Sequence, residues 1–116
     1  MTTIRELAAQ QLDAYNAADL DAFAACYHPD VTVYQGEEQQ FQGRETLRER
    51  YRTMFEEWSF GATVSKRLDM GAHCIDLEHW WRVDPANNKR SEGDLLVRYT
   101  MRDNLIGIVQ FLKNDD

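Results

Sequence analysis

The spacing of apolar residues changes character near the middle of the chain. As far as Trp58 they recur every three or four positions, as on one side of a helix. Beyond Ala62 they fall at alternate positions, as on one side of a strand. Ile4, Leu7, Ala8, Gln11, Leu12 and Tyr15 stand at helical intervals, and Gln11 is the polar member of that stripe. Asp19 is placed to cap a short second helix that buries Leu20, Phe23, Cys26 and Tyr27, with Pro29 expected to end it. Residues 31–35 read as a strand, because β-branched residues occupy alternate positions, and a polar hairpin follows as far as Gly43. A third helix then puts Leu47, Tyr51, Met54, Phe55 and Trp58 on one stripe.

Four longer strands are expected over residues 62–68, 73–83, 91–102 and 105–113. Asp103 and Asn104 form a two-residue turn of the kind that favours left-handed backbone, and Pro85 opens a polar loop. Three helices followed by a meander of strands define an α+β fold, with helices packed on one face of an antiparallel sheet. No repeat, linker or low-complexity tract interrupts this order, so residues 1–116 are expected to form one domain.

Composition narrows the functional classes. A chain of 116 residues with 43% hydrophobic content can bury a real core. The formal net charge of -7 and the lack of a basic stripe argue against nucleic acid as a partner. The cluster Arg44, Arg48, Arg50 and Arg52 is interleaved with Glu45, Glu49, Glu56 and Glu57 at helical spacing, which reads as a solvated face. No apolar run reaches the ~20 residues of a membrane span, and the polar start MTTIRELAAQ is unlike a signal peptide, so a cytoplasmic location is expected. Cys26 and Cys74 lie in dissimilar contexts without a CxxC motif and read as two buried thiols. No metal or cofactor is expected. His28, His73 and His79 form no ligand motif, and six strand residues separate the last two by roughly 20 Å.

The segments YNAADLDAF, HPDVTVY, GRETLRERY and YTMRDNLIGIVQFL, in this order and spacing, resemble the SnoaL-like and ketosteroid-isomerase-like branch of the nuclear transport factor 2 superfamily. The resemblance spans nearly the whole chain. It implies a strongly curved sheet wrapped around its helices as a cone, a cystatin-like α+β roll, with an apolar pocket and often a homodimer through the convex face. Ketosteroid isomerases use an aspartate base with an oxyanion hole of a tyrosine and a protonated aspartate. Matching the motifs puts Gln11 at the oxyanion tyrosine, Gln35 at the base and Val97 at the protonated aspartate. A glutamine amide does not take a proton from carbon at neutral pH, so the resemblance does not extend to the isomerase mechanism. Tyr27 and Tyr51 fall where some isomerases carry tyrosines that hydrogen-bond the oxyanion group.

Strand parity supplies further candidates. In the strand from His73, the apolar set Ile75, Leu77, Trp81 and Val83 is expected to face the helices and to carry His79 inward with it, as the candidate acid or base. A core histidine satisfied by one partner is the plainer reading of the same position. Trp80 then stands on the outer sheet face, where an exposed tryptophan signals a partner and a homodimer is the economical explanation. Tyr99 shares parity with Leu95 and Val97 and faces inward, and Gln110 shares a face with Ile106, Ile108 and Leu112.

Two functions compete on these residues. The first is a pocket protein for a small, mostly apolar, carbonyl-containing molecule, in which catalysis would be isomerase, cyclase or dehydratase chemistry. His79, Tyr27 and Tyr51 would carry that chemistry, and Gln11, Tyr15, Gln35, Phe55, Trp58, Trp81, Tyr99 and Gln110 would contact the ligand. The second is a non-catalytic module for homodimerisation or protein interaction, with a filled core.

Overall fold

Local signals fix where the helices begin. The Thr3 hydroxyl accepts from the Glu6 N–H and starts α1 (Ile4–Asn16), and the Asp19 carboxylate accepts from the Ala22 N–H and starts α2 (Leu20–Ala25). The computed structural model describes residues 2–113. After the two helices come β1 (Tyr27–Gln35), β2 (Glu38–Gln42), α3 (Arg44–Glu57), β3 (Ser59–Met70), β4 (His73–Val83), β5 (Arg90–Arg102) and β6 (Leu105–Lys113). Pro29 does not end the second helix; Cys26 caps it, and Pro29 lies inside β1, where the pairing with β6 is irregular. That irregularity lets a residue without an N–H sit in the strand.

The six strands form one open sheet in the order β2-β1-β6-β5-β4-β3. All neighbours are antiparallel except β1 and β6, which run parallel, so the sheet is mixed. The turns match their residues: Gly71 closes the β3–β4 hairpin at φ +59°, and Asp103 and Asn104 close β5–β6 at φ +51° and +65°. The three helices lie against one face of the sheet. Ile4, Leu7 and Ala8 from α1, Phe23 from α2 and Leu47 and Phe55 from α3 pack there onto Val31, Val33, Leu95, Val97, Tyr99, Ile106 and Val109. Both cysteines are free thiols inside the protein. Among the described residues no helix is long and apolar enough to cross a membrane.

Two strands present the opposite face from that expected. On β4 the side chains of Cys74, Asp76, Glu78, Trp80 and Arg82 face the helices, while Ile75, Leu77, His79, Trp81 and Val83 face away. Register with β5 settles it. Cys74 opposes Tyr99, Asp76 opposes Val97 and Glu78 opposes Leu95, and those β5 residues are buried. The polar inner set is tolerated because Arg67 clasps Asp76 with two hydrogen bonds, 2.7 and 2.9 Å long, and because Glu78 and Arg82 border a cavity. Each tryptophan covers a glycine on a neighbouring strand. A Cβ on Gly93 would lie 3.1 Å from Trp80 on the inner face, and one on Gly61 would lie 2.9 Å from Trp81 on the outer face.

On β6, strict alternation fails at one residue. Thr100 pairs with Ile108 and Met101 with Ile106, so Gly107 is an extra residue, a β-bulge. Ile106 and Val109 are therefore both buried, Phe111 follows Val109 inward, and Gln110 turns outward to donate to the Gly36 carbonyl at 2.7 Å. A Cβ on Gly107 would lie 2.5 Å from the Arg102 Cβ, which explains the glycine at the bulge.

Candidate functional site

The helices and the inner sheet face enclose a cavity of about 300 Å³. Its floor is a buried polar chain built on the Gln11 amide. The Gln11 Nε2 donates to the Tyr99 hydroxyl at 3.0 Å and to the Ala8 carbonyl at 3.1 Å, and the Tyr27 hydroxyl donates to Gln11 Oε1 at 3.1 Å. One amide thus satisfies two tyrosines from different strands, which accounts for a polar residue within the α1 stripe. Tyr99 spends an oxygen lone pair on Gln11 and keeps its own proton for another acceptor.

Tyr15, Tyr51, Glu78, Trp80, Arg82, Leu95, Val109 and Phe111 form the walls, while Gln35, Gln40, Arg50 and Lys113 stand exposed at the mouth. Tyr51 meets Phe23 and Phe55 edge-on, so its ring belongs to an aromatic cluster that also takes in Tyr15 and Phe60. A second, shallower concavity beside the mouth is lined by Phe41, Arg50, Tyr51, Met54, Trp58 and Arg82.

Burial raises the pKa of the tyrosines and of the carboxyl that line the cavity. Burial raises the Tyr27 and Tyr99 hydroxyls well above the ordinary tyrosine value and pushes Tyr51 up to about 12, so all three remain protonated hydrogen-bond donors. Tyr15 is raised by the same burial, partly offset by the Arg82 guanidinium nearby. Glu78 is pushed up to about 7, first by burial and then by the charge of Asp76, against the opposing pull of Arg82. It is the carboxyl on the cavity wall that exchanges a proton near neutrality.

The residues singled out from the sequence divide accordingly. Gln11, Tyr15, Tyr27, Gln35, Tyr51 and Tyr99 come together around the cavity. Trp58 lies on the adjoining concavity, and Phe55 packs in the aromatic core beneath it. Four placements are corrected. His79 is on the outer face, 44% exposed at its side chain, with Nδ1 2.7 Å from Asp94 and Nε2 3.2 Å from Glu92. Trp81 is on that same face beneath the Arg90 guanidinium, 4.8 Å from its ring centroid. Trp80, expected outside, lines the cavity. Gln110 is turned away by the Gly107 bulge. Glu78 and Arg82 were missed because they share parity with Trp80, and the glycines do not separate the faces, since Trp80 covers Gly93 and Trp81 covers Gly61.

An open α+β cone, with helices closing the concave side of the sheet over a cavity, defines a nuclear transport factor 2-like fold. Within that class, the SnoaL-like domain family matches residues 8–107, and the chain belongs to it. No curated protein matches the sequence. Solved structures with the same fold are distant in sequence. An uncharacterised cystatin-fold protein from Novosphingobium aromaticivorans is 19% identical, covering 97% of this chain and 100% of its own, with a TM-score of 0.86. An epoxide hydrolase of the LEH-like type from Mycobacterium tuberculosis is 14% identical, covering 93% of this chain and 80% of its own, with a TM-score of 0.82. A provisionally assigned polyketide cyclase from Pseudomonas putida is 18% identical, covering 99% and 94%, with a TM-score of 0.78.

Proposed function

We propose that the cavity binds a small, mostly apolar molecule through a carbonyl group and that Glu78 moves a proton on it. The observation that carries this reading is a carboxyl pushed up to about 7 on the wall of an aromatic cavity whose floor offers a tyrosine proton. The Tyr99 hydroxyl would donate to the carbonyl oxygen, and its raised pKa keeps that proton in place while charge develops on the oxygen. Glu78, ionised, would take a proton from the carbon beside the carbonyl and return it elsewhere on the same molecule. That sequence is isomerase, cyclase or dehydratase chemistry, and the polyketide cyclase above is named for one of these. It would differ from the ketosteroid isomerase route, because the base comes from β4 and the oxygen is met through a glutamine-linked tyrosine pair.

The outer sheet face supports a second element of the proposal, a homodimer. Leu68 and Ile75 are cross-strand neighbours, as are Leu77, Leu96 and Leu112, and Leu68 and Met70 are 75% and 81% exposed. An apolar ladder across four strands matches a second copy of itself, with Trp81 rather than Trp80 as its aromatic. A module that only dimerises would use this same face and leave the cavity idle.

Native mass spectrometry of freshly purified protein, with denaturing release of any retained molecule, tests both elements. The expected species is a dimer holding an apolar carbonyl compound that raises the melting temperature when added back. Deuterium exchange at the α-carbon of that compound should slow at least about a hundredfold in Glu78→Gln with binding retained. A ligand-free dimer indifferent to a panel of steroid, polyketide and terpenoid ketones favours the module. A monomer overturns the outer-face pairing.

A further inference from the structure

We propose that the molecule held in this cavity is an organic acid, an apolar scaffold carrying a carboxylate that Arg82 and Arg50 receive at the mouth. This rests on the pocket reading above and names its substrate class. The chain as a whole is acidic, at a formal net charge of -7. The ionisable groups lining the cavity reverse that sign: Arg50, Arg82 and Lys113 face the single carboxyl of Glu78. Glu78, pushed up to about 7, is uncharged for much of the time near neutrality and opposes them weakly.

The two arginines differ from those that serve the fold. Arg67 is paired with Asp76, Arg48 with Asp21, Arg52 with Glu49 and Arg90 with Glu92. Arg50 and Arg82 make no ion pair with a carboxylate among the described residues. Instead each lies over an aromatic ring, Arg50 4.4 Å from the Phe41 centroid and Arg82 5.2 Å from that of Trp80. Stacking of this kind steadies a guanidinium; Arg82 also hydrogen-bonds the Tyr15 hydroxyl, so it lacks a carboxylate partner but not every donor is free. The Arg82 Nε is buried without a hydrogen-bond partner, an arrangement that costs stability unless something supplies an acceptor. Both side chains border the main cavity and the adjoining concavity, so an acceptor between them is reached from either side.

A carboxylate fits this place better than a neutral acceptor, because it meets the planar guanidinium edge with two oxygens. Arg82 follows Glu78 by four residues on the same strand face, about 13 Å along the backbone. The anion would therefore anchor one end of the ligand while Glu78 and Tyr99 address a carbonyl deeper in. Arg50, which the sequence places on a solvated face, acquires a use from its position over Phe41.

Isothermal titration of the full chain with 1-naphthylacetate and with 1-naphthylacetamide tests the charge alone, since the two differ little in shape. The acid is expected to bind at least about tenfold more tightly than the amide. That preference should collapse to within about twofold in Arg82→Gln and shrink in Arg50→Gln, whose exposed position keeps folding intact. Equal binding of acid and amide overturns the carboxylate proposal and leaves the pocket reading standing. An acid preference that survives both substitutions overturns it as well. Failure of both probes to bind removes the pocket reading and this inference together.

Discussion

Asp76 and Glu78 stand two residues apart on the same face of β4, and their surroundings give them opposite uses. Asp76 is wholly buried, clasped by both arms of the Arg67 guanidinium and approached by the Cys74 thiol at 3.5 Å. Its charge is answered inside the protein, and it ties β4 to β3. Glu78 opposes Val64 on β3, which offers no cation, and it looks into the cavity. Burial without a bound partner is what raises a carboxyl toward neutrality. The difference lies in the neighbour: β3 gives Asp76 an arginine and sets only Val64 opposite Glu78. Asp76 even contributes to the effect, since its charge is the second cause of the shift at Glu78.

The comparison breaks most severely at Asp76. Asp76→Asn keeps the shape but leaves the Arg67 guanidinium, only 14% exposed, without its counter-charge. Removing one partner of a buried pair costs about 3–5 kcal/mol, which in a chain of this size should lower the melting temperature by well over ten degrees. Calorimetry of the variant checks this. A loss comparable to an ordinary surface substitution would mean that Arg67 is solvated and that Asp76 does not hold the hairpin.

Glu78 should respond in the reverse sense. Its folded pKa, about 7, lies above the ordinary 4.5, so the folded state binds the proton more tightly than the unfolded state does. The resulting stability is fully present below pH 4.5 and is lost as pH rises through about 7. The shift corresponds to a loss on the order of 3 kcal/mol across that window. Glu78→Gln removes the titration. Its melting temperature, compared with the unsubstituted protein, should gain steadily from pH 4.5 to 7 and level off above. A constant difference at every pH would show that Glu78 is an ordinary solvated carboxylate.

The two carboxylates also mark how far the sequence could be read. Helix positions were legible because 3.6-residue periodicity and the caps Thr3 and Asp19 agree, and the bounds of β4 and β6 followed from alternation and turn residues. Gln11 was legible as a candidate because it breaks a stripe, and it lines the cavity. Which face of a strand turns inward was not fixed by alternation alone. On β4 both faces carry apolar residues, and the decision rests on Arg67 reaching Asp76 from β3 and on register with the buried Leu95, Val97 and Tyr99 of β5. On β6 the Gly107 bulge reverses the parity midway, so Ile106 and Gln110 lie on different faces despite their even spacing. The parallel β1–β6 pairing was equally out of reach, because nothing in either strand's pattern names its neighbour.

The smallest effect is expected at His79, and it sharpens the contrast between the two faces of β4. Its imidazole is held between Asp94 and Glu92 on the outer face, and the Asp94 hydrogen bond raises its pKa above the ordinary 6.5. A raised histidine gives stability that is fully present below pH 6.5 and is lost as pH rises through the higher folded value. Both His79 and Glu78 therefore make the protein less stable as pH rises, but in adjoining windows and for different reasons. The His79 contribution is an exposed ion pair, which salt screens; the Glu78 contribution comes first from burial, which salt hardly touches. His79→Gln should remove a slight alkaline loss of stability seen at low salt and change nothing at high salt. The Glu78→Gln difference should persist in both. His79→Gln should also leave the affinity for 1-naphthylacetate within about twofold of the unsubstituted value, because no atom of His79 lines the cavity. A large loss of affinity in that variant would return the chemistry to the outer face and undo the assignment of Glu78.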